Sequence, residues 1–138
     1  MRSSTTRIDP AAEPAAEPAA DVAVELTDAD ILAVLRQAAV LHNHVAAVLR
    51  TTGLSVDRWR CLAFVANQPD ASMSEVLHGL AMAAATASRA VDALVDANLL
   101  MRTIDPADRR RVLLRISTDG TLLLRRVQMR LAVGEVGS

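Results

Sequence analysis

Three consecutive arginines, Arg109, Arg110 and Arg111, follow Asp108 in the run DPADRRRVLLRIS. A guanidinium is planar, permanently charged and forked, a shape that matches phosphate oxygens, so a cluster of them is chemistry for an anionic partner. Upstream, in ATASRAVDALVDANLL, the polar residues Thr86, Ser88 and Arg89 fall outside an apolar stripe of Ala87, Val91, Leu94 and Val95 at helical spacing. Ser72 and Ser74 come earlier, in Ser72-Met73-Ser74-Glu75. A serine and a glutamate three apart satisfy each other's backbone donors at a helix start.

Other chemistry has little to stand on. No local pattern joins a nucleophile, a histidine base and an orienting acid, so no enzyme is expected. Cys61 is the only cysteine, which rules out an intrachain disulfide or a cysteine-based metal site. It lies in an apolar helix with no charge pattern that would lower its pKa, and reads as a buried, inert thiol. His42 and His44, two apart on a helix, point to nearly opposite faces and cannot chelate one ion, and His78 lies on another helix. Neither a metal nor a cofactor is expected.

The 138 residues suit one domain. With Trp59 and Phe64 the sole aromatics, the core must be aliphatic, and a composition rich in Ala, Leu and Val with five glycines and five prolines favours helices. The net charge of −1 hides an asymmetry. Residues 1–30 carry two arginines against seven carboxylates, a net of −5; residues 86–130 carry nine arginines against five aspartates, a net of +4. The basic half suits an anionic partner. No uncharged apolar run reaches 18 residues, so no membrane span is expected. The charges and prolines behind the N-terminal MRSSTTR do not suit a signal-peptide core, and the expected location is the cytoplasm.

The elements that position these residues follow from period and punctuation. Residues 1–25 contain AAEPAAEP, whose prolines bar a helix and whose small residues have nothing to bury, so a disordered acidic tail is expected. Thr27 with Asp30 starts a helix running to Arg50, with a stripe of Ile31, Val34, Leu35, Ala38, Leu41, Val45, Val48 and Leu49 that is wider than one buried face needs. Such a helix wants a second partner, and in so small a domain another subunit can supply it. Ser55 caps a second helix that stops before Pro69. A third begins at Ser72 and runs to about Leu80; a turn at Ala81-Met82-Ala83 leads to a fourth, about Ala84–Ala97. Strands are expected at Leu99–Ile104 and Val112–Ser117, joined by a loop over 105–111. A last helix starts at Ser117 or Thr118. Its Arg125, Arg126 and Arg130 read as an ordinary exposed face.

Short helix, tight turn, small-residue helix and β-hairpin together make a winged helix, mainly α with a small β-hairpin wing. At this point the chain resembles the MarR (multiple antibiotic resistance regulator) family of transcription factors. The carrying residues are TASRAVDALVDANLLMR, DPADRRRVLLRIS and TDGTLLLRRV, with GLSVDRWRCLAFVANQPDASMSEV upstream, and the likeness covers about Leu26 to Val127. Asp108 and Arg110 match the family's Asp-x-Arg wing signature, and Ile116-Ser117 stand where Leu-Thr is usual.

The resemblance implies a winged helix-turn-helix domain over 26–134, flanked by dimerisation helices at about 27–50 and 118–133. It implies a homodimer on a pseudo-palindromic double-stranded DNA operator, a repressor's role, and release by a small-molecule effector that the sequence does not name. Residue by residue, the resemblance sends Arg110 to a minor groove and has Asp108 orient it, or a neighbouring arginine, by a charge-assisted hydrogen bond, with Arg109 and Arg111 beside it. Thr86, Ser88 and Arg89 face the major groove or its flanking phosphates, and Ser72 and Ser74 lie near the backbone. The chain departs from the pattern in three places. Ala84 and Ala85 replace polar readers, Ala81 replaces the usual glycine of the turn, and one helix follows the wing where two are usual. The competing reading is a winged-helix interaction module that has lost DNA binding.

Overall fold

The computed structural model describes residues 25–133, and the expected acidic tail falls almost wholly on residues outside that range. The chain divides into two compact units between Ala38 and Ala39. Helix α1 (Asp28–Leu49) crosses that division. Its start is fixed by Thr27 and Asp30: the Thr27 N–H donates to Asp30 Oδ2 at 3.0 Å, and the Asp30 N–H donates to Thr27 Oγ1 at 3.2 Å. That reciprocal pairing satisfies two of the amide donors a helix start leaves open, a contribution of about 1 kcal/mol for such a cap. All the α1 residues up to Ala38 are exposed, large apolar ones included.

The second unit holds the rest. Gly53, at φ 79°, turns the chain into α2 (Val56–Asn67), which Ser55 caps by accepting the Arg58 N–H. Pro69 bars further helix, and Asp70 at φ 65° redirects the chain into β1 (Ala71–Ser72). Then follow α3 (Met73–Gly79), α4 (Ala84–Asp96), β2 (Leu100–Asp105), β3 (Asp108–Ile116) and α5 (Thr118–Val133). The sheet is antiparallel in the order β1-β3-β2, with Ala71 opposite Leu114 and Leu100 opposite Ile116.

Two of these elements differ from expectation. The two-residue β1 has no hydrophobic period long enough to announce it. Strand β3 starts at Asp108 rather than Val112, because the turn is only Pro106-Ala107 and pairing persists to Asp105 opposite Asp108. The three arginines therefore sit on a strand and not in a loop.

The core is aliphatic. Leu62 and Val65 of α2 and Val91 and Leu94 of α4 are all but inaccessible, as are Val76, Leu100 and Leu114 in the same cluster. Cys61 lies among them, 3.9 Å from the Met82 sulfur, and burial pushes its thiol up to about 11. A thiol so placed stays protonated at neutral pH and is a poor nucleophile. A second cluster joins Val45, Val48 and Leu49 at the end of α1 to Val127 of α5. At the start of α5, Gly120 runs so close to β2 that a β-carbon there would lie 2.3 Å from the Leu99 carbonyl oxygen.

Candidate nucleic-acid interface

Helices α3 and α4 form the helix-turn-helix. Ser72 and Glu75 make the expected capping box: the Glu75 N–H donates to Ser72 Oγ at 3.2 Å and the Ser72 N–H donates to Glu75 Oε1 at 2.8 Å. The Ser72 amide holds the Glu75 carboxyl below its ordinary range, helped by the nearby Arg111. Ser72 is spent on this work and only 8% exposed, so its hydroxyl is not available to a partner. Ser74 is exposed and lies 3.3 Å from His78 Nδ1.

The turn between the helices is a Schellman motif built on the wrong residue type. The Met82 N–H donates to the Leu77 carbonyl at 2.9 Å and the Ala81 N–H to the His78 carbonyl at 3.2 Å. This closure requires a left-handed residue, and Ala81 takes it at φ 51°. Arg60 of α2 donates through Nη2 to the Leu80 carbonyl, satisfying an acceptor that the end of α3 leaves open. The α4 terminus repeats the motif with Asn98 at φ 61°, whose amide side chain makes that conformation easier than alanine does.

Helix α4 buries Ala87, Ala90, Val91 and Leu94 and presents Ala84, Ala85, Ser88 and Arg89 outward. Thr86 is half-buried on its flank. No side chain caps its N-terminus at Ala83, so the leading N–H groups lie behind small exposed alanines, a surface that a phosphate backbone can approach closely. Asp92 shares the exposed side, but Arg102 of β2 pairs with it. Arg89 has no ion pair among the described residues.

On the wing, the Arg110 N–H and Nε both donate to Asp108 Oδ1, at 3.1 and 3.3 Å, and the Arg110 side chain is 92% exposed. Arg109 is exposed without an ion pair among the described residues. Arg111 turns elsewhere: its Nη2 lies 3.5 Å from Glu75 Oε1 and its Nη1 3.7 Å from Asp105 Oδ2. Arg115 forks onto Asp70 at 2.6 and 3.2 Å, which holds that carboxyl below its ordinary range and ties β3 to the turn before β1.

The structure thus groups Ser74, Ser88, Arg89, Arg109 and Arg110 as exposed candidates, with Asp108 as orienter. Ser72 is enclosed and Arg111 engaged within the domain. Arg60, Arg102, Arg115 and Asp70 escape sequence reasoning, because their partners lie 10 to 45 residues away and only strand pairing and helix packing reveal them. Among the described residues no group of three histidine, cysteine or acidic side chains could hold a metal ion.

Residues 52–111 match the family model described as MarR family. No curated protein matches the sequence. Among solved structures, a probable transcriptional regulator from Pseudomonas aeruginosa is 28% identical, with a TM-score of 0.60 over 75% of this chain and 76% of that one. CouR from Rhodococcus jostii RHA1, solved bound to p-coumaroyl-CoA, is 25% identical, with a TM-score of 0.66 over 75% and 74%. A mutant of S. aureus MepR, solved bound to an oligodeoxyribonucleotide, shares the fold, at 18% identity and a TM-score of 0.64 over 80% of each chain. The helix-turn-helix and wing of residues 52–111 match the MarR family model, and the chain shares its fold with these regulators.

Proposed function

We propose that the chain is a cytoplasmic transcriptional repressor that binds a pseudo-palindromic DNA site as a homodimer and is released by a small ligand. The observation that carries this reading is Arg110: oriented by Asp108 at the wing tip, 92% exposed, and beside an exposed Arg109. A guanidinium offered in this way suits a minor groove or a phosphate. Arg89 and Ser88 on α4 suit the major groove or its rim, with Ser74 near the backbone, while the half-buried Thr86 is left a lesser part.

Two copies are suggested by the apolar surface of α1. Ile31, Leu32, Val34, Leu35, Val40 and Leu41 are all exposed. The helix is long and apolar enough to cross a membrane on length and composition alone, at a mean hydropathy of 1.3. Arg36 in its middle and a C-terminal end packed into the domain at Val48 and Leu49 favour a protein partner instead. On α5, Leu122, Met129 and Val133 add exposed apolar surface.

For the ligand, a cavity of about 510 Å³ lies between Thr51-Thr52 and α5, with Leu123, Val127 and Met129 on its walls and Arg126 and Arg130 at its side. That volume is within the range of small-molecule sites. Arginine and apolar wall together suit an organic anion.

Fluorescence anisotropy against the DNA upstream of its own gene, with sedimentation at micromolar protein, tests the reading. Saturable low-salt binding by a dimer is expected. A monomer, or the absence of specific binding, would favour the interaction-module reading, which the exposed Ala84 and Ala85 motivate.

A further inference from the structure

The three wing arginines are not equivalent. Arg110 and Arg111 both lie where the β2–β3 register shifts, between Val112 opposite Ile104 and Asp108 opposite Asp105. Arg110 is 92% exposed and Arg111 only 47%. Arg111 reaches Glu75 Oε1, the same oxygen that accepts the Ser72 N–H in the capping box. Its other terminal nitrogen faces Asp105, the last residue of β2. One guanidinium therefore links both wing strands to the N-terminus of α3.

The position of this link matters. Strand β1 pairs with β3 only as far as Ser72 opposite Leu113, so beyond Leu113 the wing is a bare two-stranded ribbon. Ile104 and Val112, opposite each other in that ribbon, are 57% and 36% exposed. An isolated two-stranded hairpin is marginal in water. Its lower part has a second tie: Arg102, which pairs across the sheet with Leu114, holds Asp92 of α4. The hairpin is thus tethered to α4 through Arg102 and to α3 through Arg111.

We propose that Arg111 is a positioning residue, which acts through Glu75 to set the wing against the helix-turn-helix and does not itself touch DNA. This rests on the DNA-binding reading above. Each guanidinium–phosphate contact releases condensed counterions, so losing one lowers the salt slope of binding by about 0.9. Losing a brace lowers affinity without changing that slope.

The test compares the wild type, Arg111→Met, Glu75→Gln and the double variant on the same DNA across a salt series. Glutamine keeps the capping-box acceptor, so α3 retains its start. Each single variant should bind about 3- to 10-fold more weakly with an unchanged slope, and the double no worse than either, since both remove one link. If Arg111→Met lowers the slope by about one while Glu75→Gln binds as well as wild type or better, Arg111 is a phosphate contact and the proposal is overturned. Wild-type affinity in Arg111→Met overturns it too. Amide hydrogen exchange over residues 104–112 reads the brace without DNA: faster exchange in both single variants is expected, and unchanged exchange contradicts it. A wild type that binds no DNA would sink the DNA reading and leave this arm to judge the brace.

Discussion

Arg110 is held to Asp108 by its inner edge alone: its backbone N–H and its Nε share Asp108 Oδ1, at 3.1 and 3.3 Å. Its two terminal amino groups have no partner among the described residues. The carboxylate fixes where the fork begins while the fork itself stays free, as a side chain kept ready for an external anion should be. Arg111, one residue on, spends its terminal nitrogens inside the protein. Two neighbours of one residue type thus differ in state, one fork left free and the other engaged within the domain.

Ala81 closes the turn between the two helices of the helix-turn-helix at φ 51°. A β-carbon makes that conformation costly by roughly 1–2 kcal/mol, and glycine has none. Ala81→Gly should raise the unfolding free energy by about 1 kcal/mol, less what glycine adds to the entropy of the unfolded chain. Thermal and urea melts would show it as a higher midpoint. A lower midpoint would mean that the turn is not strained.

Gly120 predicts the opposite sign. In most helix positions glycine to alanine gains up to about 1 kcal/mol. Here the new β-carbon would meet the Leu99 backbone oxygen at 2.3 Å and Ile116 Cγ1 at 2.8 Å. A backbone oxygen cannot change rotamer, so α5 must shift from β2, and Gly120→Ala should destabilise by about 1–3 kcal/mol. Unchanged or raised stability in the same melts would contradict the close packing of α5 on Leu99.

How much of this was legible in the sequence depended on the range of the interaction. Ser72 and Glu75 are three apart, and their capping box could be read from spacing alone and is present. The stripe of Ala87, Val91 and Leu94 fixed the buried side of α4 for the same reason, although Val95 is only half-buried. Strand β3 was read too short because three charged residues look like a loop until pairing with β2 is seen. The ties Arg115–Asp70, Arg111–Glu75 and Arg60–Leu80 join residues far apart in sequence, and no local pattern encodes them. The left-handed Ala81 was hidden because alanine seldom signals such a turn.

The carboxyls of Asp70, Glu75 and Asp30 all sit below their ordinary ranges, held by Arg115, by the Ser72 amide and by Thr27 respectively. A pKa depressed in the folded state means that the unfolded chain takes up protons first as pH falls. The stabilisation is complete above the ordinary carboxyl values of 3.8 and 4.5, and is lost as pH drops through and below them. The melting temperature should hold steady near neutrality and fall below about pH 4.5. Arg115→Met should remove part of that fall, because Asp70 loses its partner. An identical acid profile in the variant would contradict the assignment. All three groups face solvent, so each effect is small.

The proposed role of the wing arginine Arg110 is an external phosphate or minor-groove contact. The direct measurement is the salt dependence of binding to upstream DNA for the wild type and Arg110→Met. The variant should bind at least about 10-fold more weakly, with a slope of log affinity against log salt smaller by about 0.9 per lost contact. Equal affinity and equal slope in the two proteins would contradict it.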